Sequence, residues 1–318
     1  MTASPGRAIP RKSSLRAALF LPLVVLLGAC QSLAPLGNDM PAAQQVSGVP
    51  FFPQEKYQCG PAALATMLGS AGVSVDDQAL VEEVWLPQRR GSLAMELVAA
   101  ARARERLVYP VNTPEALIQQ LDAGQPVLVM QNLAFTFYPR WHFAVVTGYR
   151  DQGATLILNT DTREAEPENW NRFVRTWARA DYQGWAILPP ATLPAGARPV
   201  ALVRALEELA GTAGAAAATP YWQTAGERFQ EEYLVQFALG NHLWAVQRPQ
   251  DAIDAWQAAA RARPSEFAAW HNLALALAEQ GCGAGTALAG ARQSEVSSAR
   301  LQQLEQAVGN GPASGDCR

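Results

Sequence analysis

A cysteine and a histidine in this chain stand in surroundings that suit an activated thiol. Cys59 directly precedes Gly60-Pro61 and the segment GPAALATMLGSAG, which is predicted to be helical because Pro favours the first turn and Gly the end. A helix start carries partial positive charge and free N–H groups, and both favour the nucleophilic thiolate. His142 begins an apolar strand, WHFAVVTGY, and a base held there would complete a minimal activated pair. The alternative for Cys59 is a buried, inert cysteine.

Such a pair needs two further polar groups. The imidazole needs an orienting partner, and Asn159 at the end of ATLILN and Asp161 two residues later are both candidates. Residues two apart on a strand share a face, so either side chain can reach the ring, although both residue types also start ordinary turns. A developing oxyanion needs a donor. Gln54 lies five residues before Cys59 and is the predicted donor, with Gln58 as a weaker candidate.

The elements that must position these residues change type along the chain. Helical signals come first, and strand-like apolar runs follow from residue 126. The four predicted strands are Pro126–Asn132, Trp141–Tyr149, Ala154–Asn159 and Trp185–Pro190. Helices followed by strands are typical of an α+β fold, so we expect one α+β domain over residues 48–190.

Composition bounds the function classes. The chain has 318 residues, of which 49% are hydrophobic and 17% charged, which indicates a globular protein with about two domains. The formal net charge of -3 gives no reason to expect a nucleic-acid partner. The histidines and cysteines show no zinc-ligand spacing, so we predict no metal and no cofactor.

The first thirty residues are predicted to be an export signal. Basic residues from Arg7 to Arg16 precede AALFLPLVVLLGA, which is uncharged. A membrane-spanning helix is the alternative, but the run is short and contains Pro22. The run ends in LGAC, which resembles the bacterial lipobox and implies that Cys30 is lipidated. Gln31 then implies sorting to the outer membrane, so we expect a cell-envelope protein on its periplasmic face, with a lipid anchor in the membrane and residues 31–47 as a tether.

The four cysteines have different expected fates. Cys30 is assigned to the lipid, and Cys282 and Cys317 lie close enough in sequence to form a disulfide. A bridge of that loop size stabilises by roughly 3–4 kcal/mol in the chain-entropy model. Cys59 is then left over, and an odd cysteine in an exported chain indicates a reactive thiol or an intermolecular bridge.

The C-terminal part is predicted to be helical. Residues 191–232 are expected to be a linker with one short helix at ALVRALEELA. From Tyr233 a period of 34 residues resembles the tetratricopeptide repeat, with one good copy, one degenerate copy and a capping helix near Val296–Val308. An ordinary helical hairpin is the alternative. We expect a small all-α domain over residues 233–308, able to bind a protein partner, and a tail at residues 309–318.

Three segments carry a family resemblance over residues 49–190. QEKYQCGPAALATML, WHFAVVTGY and LILN resemble the bacteriocin-leader (double-glycine) peptidase-like group of papain-like cysteine peptidases. The resemblance implies Cys59 as nucleophile, His142 as base, Gln54 as oxyanion donor and Asn159 as third member. The chain departs from the family pattern twice, because the glutamine is five rather than six residues before the cysteine, and Asn159-Thr160-Asp161 stands where Asp-Pro is usual.

The expected activity is hydrolysis of a peptide or protein substrate through an acyl-thioester on the cysteine. The family's leader peptidases are fused to a transporter, and none is present here, so a double-glycine leader is not the expected substrate. Two alternatives stay open: acyl transfer by the same site, and a lipoprotein adaptor whose peptidase domain has lost activity.

Overall fold

The computed structural model describes residues 2, 40–53, 58–89 and 91–309 of the chain. These residues form one antiparallel sheet with helices on both faces and a helical C-terminal region. The strands are β1 (Gln44–Gln45), β2 (Leu107–Pro110), β3 (Val127–Asn132), β4 (Trp141–Arg150), β5 (Thr155–Thr160), β6 (Arg163–Asn169) and β7 (Gly184–Leu188). The helices are α1 (Cys59–Ser70), α2 (Asp77–Val84), α3 (Ala94–Ala103), α4 (Pro114–Asp122), α5 (Trp170–Ala178), α6 (Pro199–Ala213), α7 (Ala215–Arg228), α8 (Tyr233–Ala245), α9 (Pro249–Ala262), α10 (Phe267–Glu279), α11 (Gly285–Gln293) and α12 (Ser298–Val308).

The mixed helix-and-sheet prediction is confirmed, and the sheet contains more strands than the apolar runs indicated. Its order is β2-β7-β3-β4-β5-β6, with β1 paired to the far end of β4. The four predicted strands correspond to β3, β4, β5 and β7. The edge strand β6 has the sequence REAEPEN, which lacks the apolar alternation that marks a half-buried strand, so the pattern did not reveal it.

The two faces of the sheet are covered by different helices. Leu64, Met67 and Leu97 of α1 and α3 pack with Phe143 and Val145 of β4. The opposite face of β4 is occupied by a second cluster that includes Ala144, Val146, Leu117, Phe173 and Trp177. Because side chains alternate along a strand, β4 contributes to both cores.

Residues 191–232 correct the sequence interpretation, because they contain two helices where a linker with one short helix was expected. In α6, Leu202, Leu206 and Leu209 follow a helical period and are fully buried. The segment AAAATP forms the start of α7 and is not a linker, because alanine has the highest helix propensity. Gly214, with a φ of +92°, separates α6 from α7.

Tyr221 of α7 joins the helical region to the sheet. Its hydroxyl donates to the carbonyl of Leu188 at 2.8 Å and accepts from the backbone N–H of Leu107 at 3.1 Å. These are residues of β7 and of the edge strand β2. One continuous hydrophobic cluster extends from the sheet through α6 and α7 into the C-terminal helices, so the two parts share a core.

The helices α8 to α12 form the predicted all-α region. Consecutive helices pack on each other. Helix α12 corresponds to the predicted capping helix, starts two residues later than predicted and ends at the predicted residue, Val308. At Gly240 an added Cβ would lie 2.5 Å from the Trp256 ring, which explains the small residue in α8. The assignment of these helices as tetratricopeptide repeats stays a prediction. Cys282 is disulfide-bonded, and its predicted partner Cys317 lies outside the described residues.

Two predictions fall on parts of the chain that the structure does not describe. The signal segment, Cys30 and most of the tether lie in the undescribed stretch before residue 40, and most of the predicted tail follows residue 309. In the described ranges, no helix combines the length and the apolar character that crossing a bilayer requires.

Candidate active site

Cys59 is the first residue of α1, and its thiol is free. Burial raises the pKa of this thiol above its usual value, whereas hydrogen bonds from the backbone N–H groups of Phe143 and Gly60 oppose the rise. Phe143 directly follows His142, so these contacts hold the sulfur against the start of β4. A Cβ at Gly60 would lie 2.5 Å from Ser92 Oγ, and glycine is therefore required at this helix start.

His142 is the second residue of β4 and is buried. Its Nε2 lies 2.7 Å from Thr160 Oγ1 and 3.9 Å from Asp161 Oδ1. Burial lowers the pKa of the imidazole, and the Asp161 carboxylate partly offsets this by raising it. A hydroxyl and a carboxylate at Nε2 fix the ring orientation and leave Nδ1 available, because no described residue hydrogen-bonds to Nδ1.

Asn159, which the family resemblance implies as the third member, hydrogen-bonds within the β5–β6 hairpin rather than to the His142 ring. Asn159 is opposite Val145 rather than His142, and its Oδ1 accepts the backbone N–H of Ala165 at 3.1 Å. Asn159 and Thr160 both line a small space beside Cys59, but it is Thr160 whose hydroxyl lies within hydrogen-bond distance of the imidazole. A register shift in the β5–β6 pairing and a φ of +52° at Ala165 mark a bulge in this hairpin. The Asn159 side chain provides the hydrogen-bond acceptor for the Ala165 N–H at this bulge.

Asp161, the alternative candidate, lies closer to the ring. It has a φ of +51° in the tight connection between β5 and β6, and this turn conformation directs its carboxylate towards His142. Arg163 binds the same carboxylate at 3.2 Å. Thr160 Oγ1 is therefore closer to His142 Nε2 than Asp161 Oδ1 is, and Asn159 hydrogen-bonds within the β5–β6 hairpin instead.

Cys59, His142 and Asp161 line one open cleft of about 720 Å³. Among the described residues, no hydrogen bond joins the Cys59 thiol to the His142 ring. The raised thiol pKa and lowered imidazole pKa favour the neutral pair at neutral pH. The arrangement therefore suits a histidine that removes the thiol proton when a substrate is bound, rather than a preformed ion pair.

Several residues in the cleft or beside it were not identified from the sequence. Thr160 lacked any signal beyond its place between two candidates. Ser92 lines the cleft, and its buried hydroxyl has no hydrogen-bond partner among the described residues. Arg89 and Arg140 add positive charge to the cleft lining. A buried, unpaired hydroxyl is only visible once burial is known, so no sequence pattern marks Ser92.

The predicted oxyanion donors are only partly described. Gln54 lies outside the described residues. Gln58 precedes α1 and makes no side-chain cap hydrogen bond to it. In the described ranges, histidine, cysteine and acidic side chains form no cluster that could hold a metal ion.

Comparison with known proteins gives one family match. Residues 46–185 match the model of the Peptidase_C39 like family, and this segment contains strands β2 to β6 and the first two residues of β7. No curated protein matches the chain.

Three solved structures are similar to it over less than half of its length. A protein from Bacillus anthracis described as a C39-like peptidase is 19% identical, with a TM-score of 0.38, and the match covers 46% of this chain and 98% of that one. A double glycine motif protease from the AMS/PCAT transporter, in complex with the leader peptide, is 21% identical, with a TM-score of 0.34, covering 46% and 92%. The peptidase domain of Streptococcus ComA, a bi-functional ABC transporter, is 22% identical, with a TM-score of 0.37, covering 44% and 98%.

Proposed function

We propose that this chain is a cysteine peptidase anchored in the bacterial cell envelope, with Cys59 as nucleophile and His142 as general base. The observation that carries the proposal is a single cleft that contains a thiol at a helix start, a buried imidazole and a carboxylate 3.9 Å from that imidazole. The match of residues 46–185 to a peptidase family supports the same chemistry.

In the proposed reaction, His142 first accepts a proton from the Cys59 thiol and then donates a proton to the leaving amine. His142 Nδ1 accepts the thiol proton as Cys59 Sγ attacks the substrate carbonyl carbon, and the carbonyl oxygen becomes an oxyanion. The imidazolium then protonates the leaving amine as the C–N bond breaks, which leaves a thioester. Water attacks this thioester with His142 again as base, and the products are a carboxylic acid and the restored thiol.

The remaining site residues have distinct proposed roles. Asp161 and Thr160 position the ring through Nε2, and the Asp161 carboxylate stabilises the imidazolium that forms during the reaction. Asn159, to which the family resemblance assigns the third position, is proposed to hold the β5–β6 hairpin instead. The Cys59 N–H and Gln54 are the proposed oxyanion donors.

The other parts of the chain have proposed roles in location and recruitment. We propose lipidation of Cys30, attachment to the periplasmic face of the outer membrane, and protein binding by the C-terminal helices. A pocket of about 310 Å³ between α8, α9 and α10, lined by Trp244, Trp256 and Asn272, supports a recruiting role for that region.

The proposal is tested with peptide hydrolysis by purified Cys59→Ala and His142→Ala variants. A missing nucleophile should abolish turnover, and loss of the general base should lower kcat/KM by roughly 10²- to 10⁴-fold. His271→Ala is the matched control, because this histidine is half-buried in α10 and remote from the cleft. Wild-type turnover in the His142→Ala variant would show that the assignment is wrong. Mass spectrometry of the products, with and without an added amine, separates hydrolysis from acyl transfer.

A further inference from the structure

The connection between β3 and β4 exposes aromatic side chains beside the cleft. This aromatic loop comprises residues 133–140, and Phe135, Phe137 and Tyr138 are 66%, 86% and 75% exposed. Trp141, the first residue of β4, is 52% exposed. Their exposure shows that these rings are not part of the hydrophobic core.

The aromatic loop is held in place by Asn132, a buried residue at the end of β3. Its Oδ1 accepts the N–H groups of Ala134 and Arg140, both at 3.0 Å, and its Nδ2 donates to the carbonyl of Phe135 at 3.3 Å. Arg179 of the segment after α5 donates to the Asn132 carbonyl at 2.9 Å. A buried side chain that spans the loop base fixes its shape, so the exposed rings are presented by a defined scaffold.

The rings also stack on each other rather than folding back onto the sheet. Phe135 and Phe137 lie with ring centroids 5.3 Å apart and planes within 9°. Exposing such area to water is unfavourable by about 25 cal/mol per Å² of apolar surface. A rigid loop that holds an apolar patch in solvent is typical of a binding surface.

The two ends of the aromatic loop line the cleft that contains the thiol. Leu133, Pro139 and Arg140 of the loop line that cleft together with Cys59 and His142. On the other side of Trp141, a pocket of about 360 Å³ is lined by Met95, Met130 and Leu93, and Met95 is mostly exposed. A chain bound across the thiol would therefore meet apolar surface as it leaves the cleft.

We propose that the aromatic loop recognises apolar side chains of an extended peptide substrate next to the bond that is cleaved. The inference rests on the proposed peptidase function and adds the substrate class. A bilayer is a less suitable occupant, because β1 pairs with the far end of β4, at Tyr149 and Gly148, whereas the loop adjoins its beginning. The part of β4 between these two positions spans roughly 25 Å, so the side from which the proposed lipid tether enters lies away from the loop.

The test measures peptide binding to the full chain with Cys59→Ala, which prevents turnover. Two sets of short fluorescein-labelled peptides differ only in whether alternate positions carry Leu and Phe or Ser, and their Kd values are read by fluorescence anisotropy. Phe137→Ser and Tyr138→Ser should each weaken binding of the apolar set about tenfold, because each removes a large ring from the contact. The Ser-containing set should bind weakly and to the same extent in all variants.

Val200→Ser is the matched control, because Val200 is 72% exposed on α6 and remote from the loop. It should leave the Kd of the apolar set unchanged. Thermal unfolding of each variant shows that the fold is retained, and with two independent loop variants the test survives if one of them unfolds. Unchanged affinity in both folded loop variants overturns the proposal. Loop-dependent binding to phosphatidylethanolamine–phosphatidylglycerol vesicles without loop-dependent peptide binding also overturns it, in favour of a membrane contact.

The design separates this inference from the proposed function. If the wild-type chain cleaves no peptide but the apolar set still binds in a loop-dependent way, the peptidase proposal fails and the recognition surface stands. If the wild-type chain cleaves peptides with equal kcat/KM for both sets, the peptidase proposal stands and the loop assignment fails.

Discussion

Replacing Asp161 with asparagine should lower the pKa of both reacting groups, with opposite consequences for thiol alkylation and for peptide hydrolysis. The carboxylate raises the pKa of His142 and also raises the pKa of the Cys59 thiol. Removing its charge therefore lowers both pKa values. The thiolate becomes easier to form, while the imidazolium that peptide hydrolysis requires becomes harder to form.

The size of the effect follows from the separation of the two groups. Unit charges about 4 Å apart interact by about 1 kcal/mol in water and about 4 kcal/mol at an effective dielectric constant near 20. The Asp161 side chain is 44% exposed and shares its charge with Arg163, so the lower part of this range applies. A loss of roughly 1–2 kcal/mol of imidazolium stabilisation corresponds to about a 5- to 30-fold lower kcat/KM.

Two assays on the Asp161→Asn variant separate these effects. Alkylation of Cys59 by iodoacetamide, measured at neutral pH, should be faster than in the wild type because the thiolate fraction is larger. Peptide hydrolysis at the same pH should be slower. The acidic limb of the kcat/KM profile should also move to lower pH, because a base with a lowered pKa stays neutral further into the acidic range.

Asn159→Ala provides the contrast. This change leaves the Ala165 N–H without its acceptor and should cost about 1–3 kcal/mol of folding stability, seen as a lower Tm, with a smaller effect on kcat/KM of the folded protein. The reasoning is refuted if Asn159→Ala reduces kcat/KM at unchanged Tm while Asp161→Asn hydrolyses peptides as the wild type does.

Further predictions concern packing, a buried hydroxyl and acid stability. Gly60→Ala places a Cβ 2.5 Å from Ser92 Oγ, so differential scanning calorimetry should show a destabilisation of about 1–3 kcal/mol. Tyr221→Phe removes the hydroxyl that accepts a hydrogen bond from the Leu107 N–H. Chemical denaturation should show a loss of about 1–3 kcal/mol in the free energy of unfolding. Burial lowers the pKa of His242 in the folded protein, so the unfolded chain binds more protons as the pH falls below about 6.5. The Tm should therefore fall with pH in that range, and less steeply in His242→Gln.

Each of these predictions has a control or a contrary result. Gly211→Ala lies on α6 with open space around it, so it should be neutral or stabilising, and equal losses at Gly60 and Gly211 would contradict the packing argument. Tyr138→Phe, at an exposed tyrosine, should not change stability. An unchanged pH slope of the Tm in His242→Gln would exclude His242 as a source of the acid sensitivity.

Much of the sheet and the central pair of the site could be predicted from the sequence. The apolar runs gave four strands within one or two residues, because fully buried strands need continuous apolar side chains. Cys59 at a helix start and His142 at a strand start follow from local signals that do not depend on distant contacts. Both lie in one cleft, as the pairing required.

The details that failed depend on register and on tertiary contacts. The choice between Asn159 and Asp161 turns on a bulge in the β5–β6 pairing, and a shift of one residue reverses the face of a strand side chain. Helix α6 contains the predicted short helix and is longer than it, whereas α7 was not predicted, because the Gly and Pro residues around it are also typical of a linker. The unpaired Ser92 hydroxyl has no counterpart in any sequence pattern.

The Tyr221 hydroxyl, which touches both β2 and β7, bears on how this protein can be divided. A fragment that stops at residue 190 would lack α6 and α7, and with them the Tyr221 hydroxyl and the buried leucines that pack in the same core as Leu107 and Leu188. Because large exposed apolar patches promote association, such a fragment should self-associate. The sheet and the helical region therefore share one hydrophobic core, and we expect any truncation to retain at least residue 228, so that Tyr221 keeps its contacts with β2 and β7.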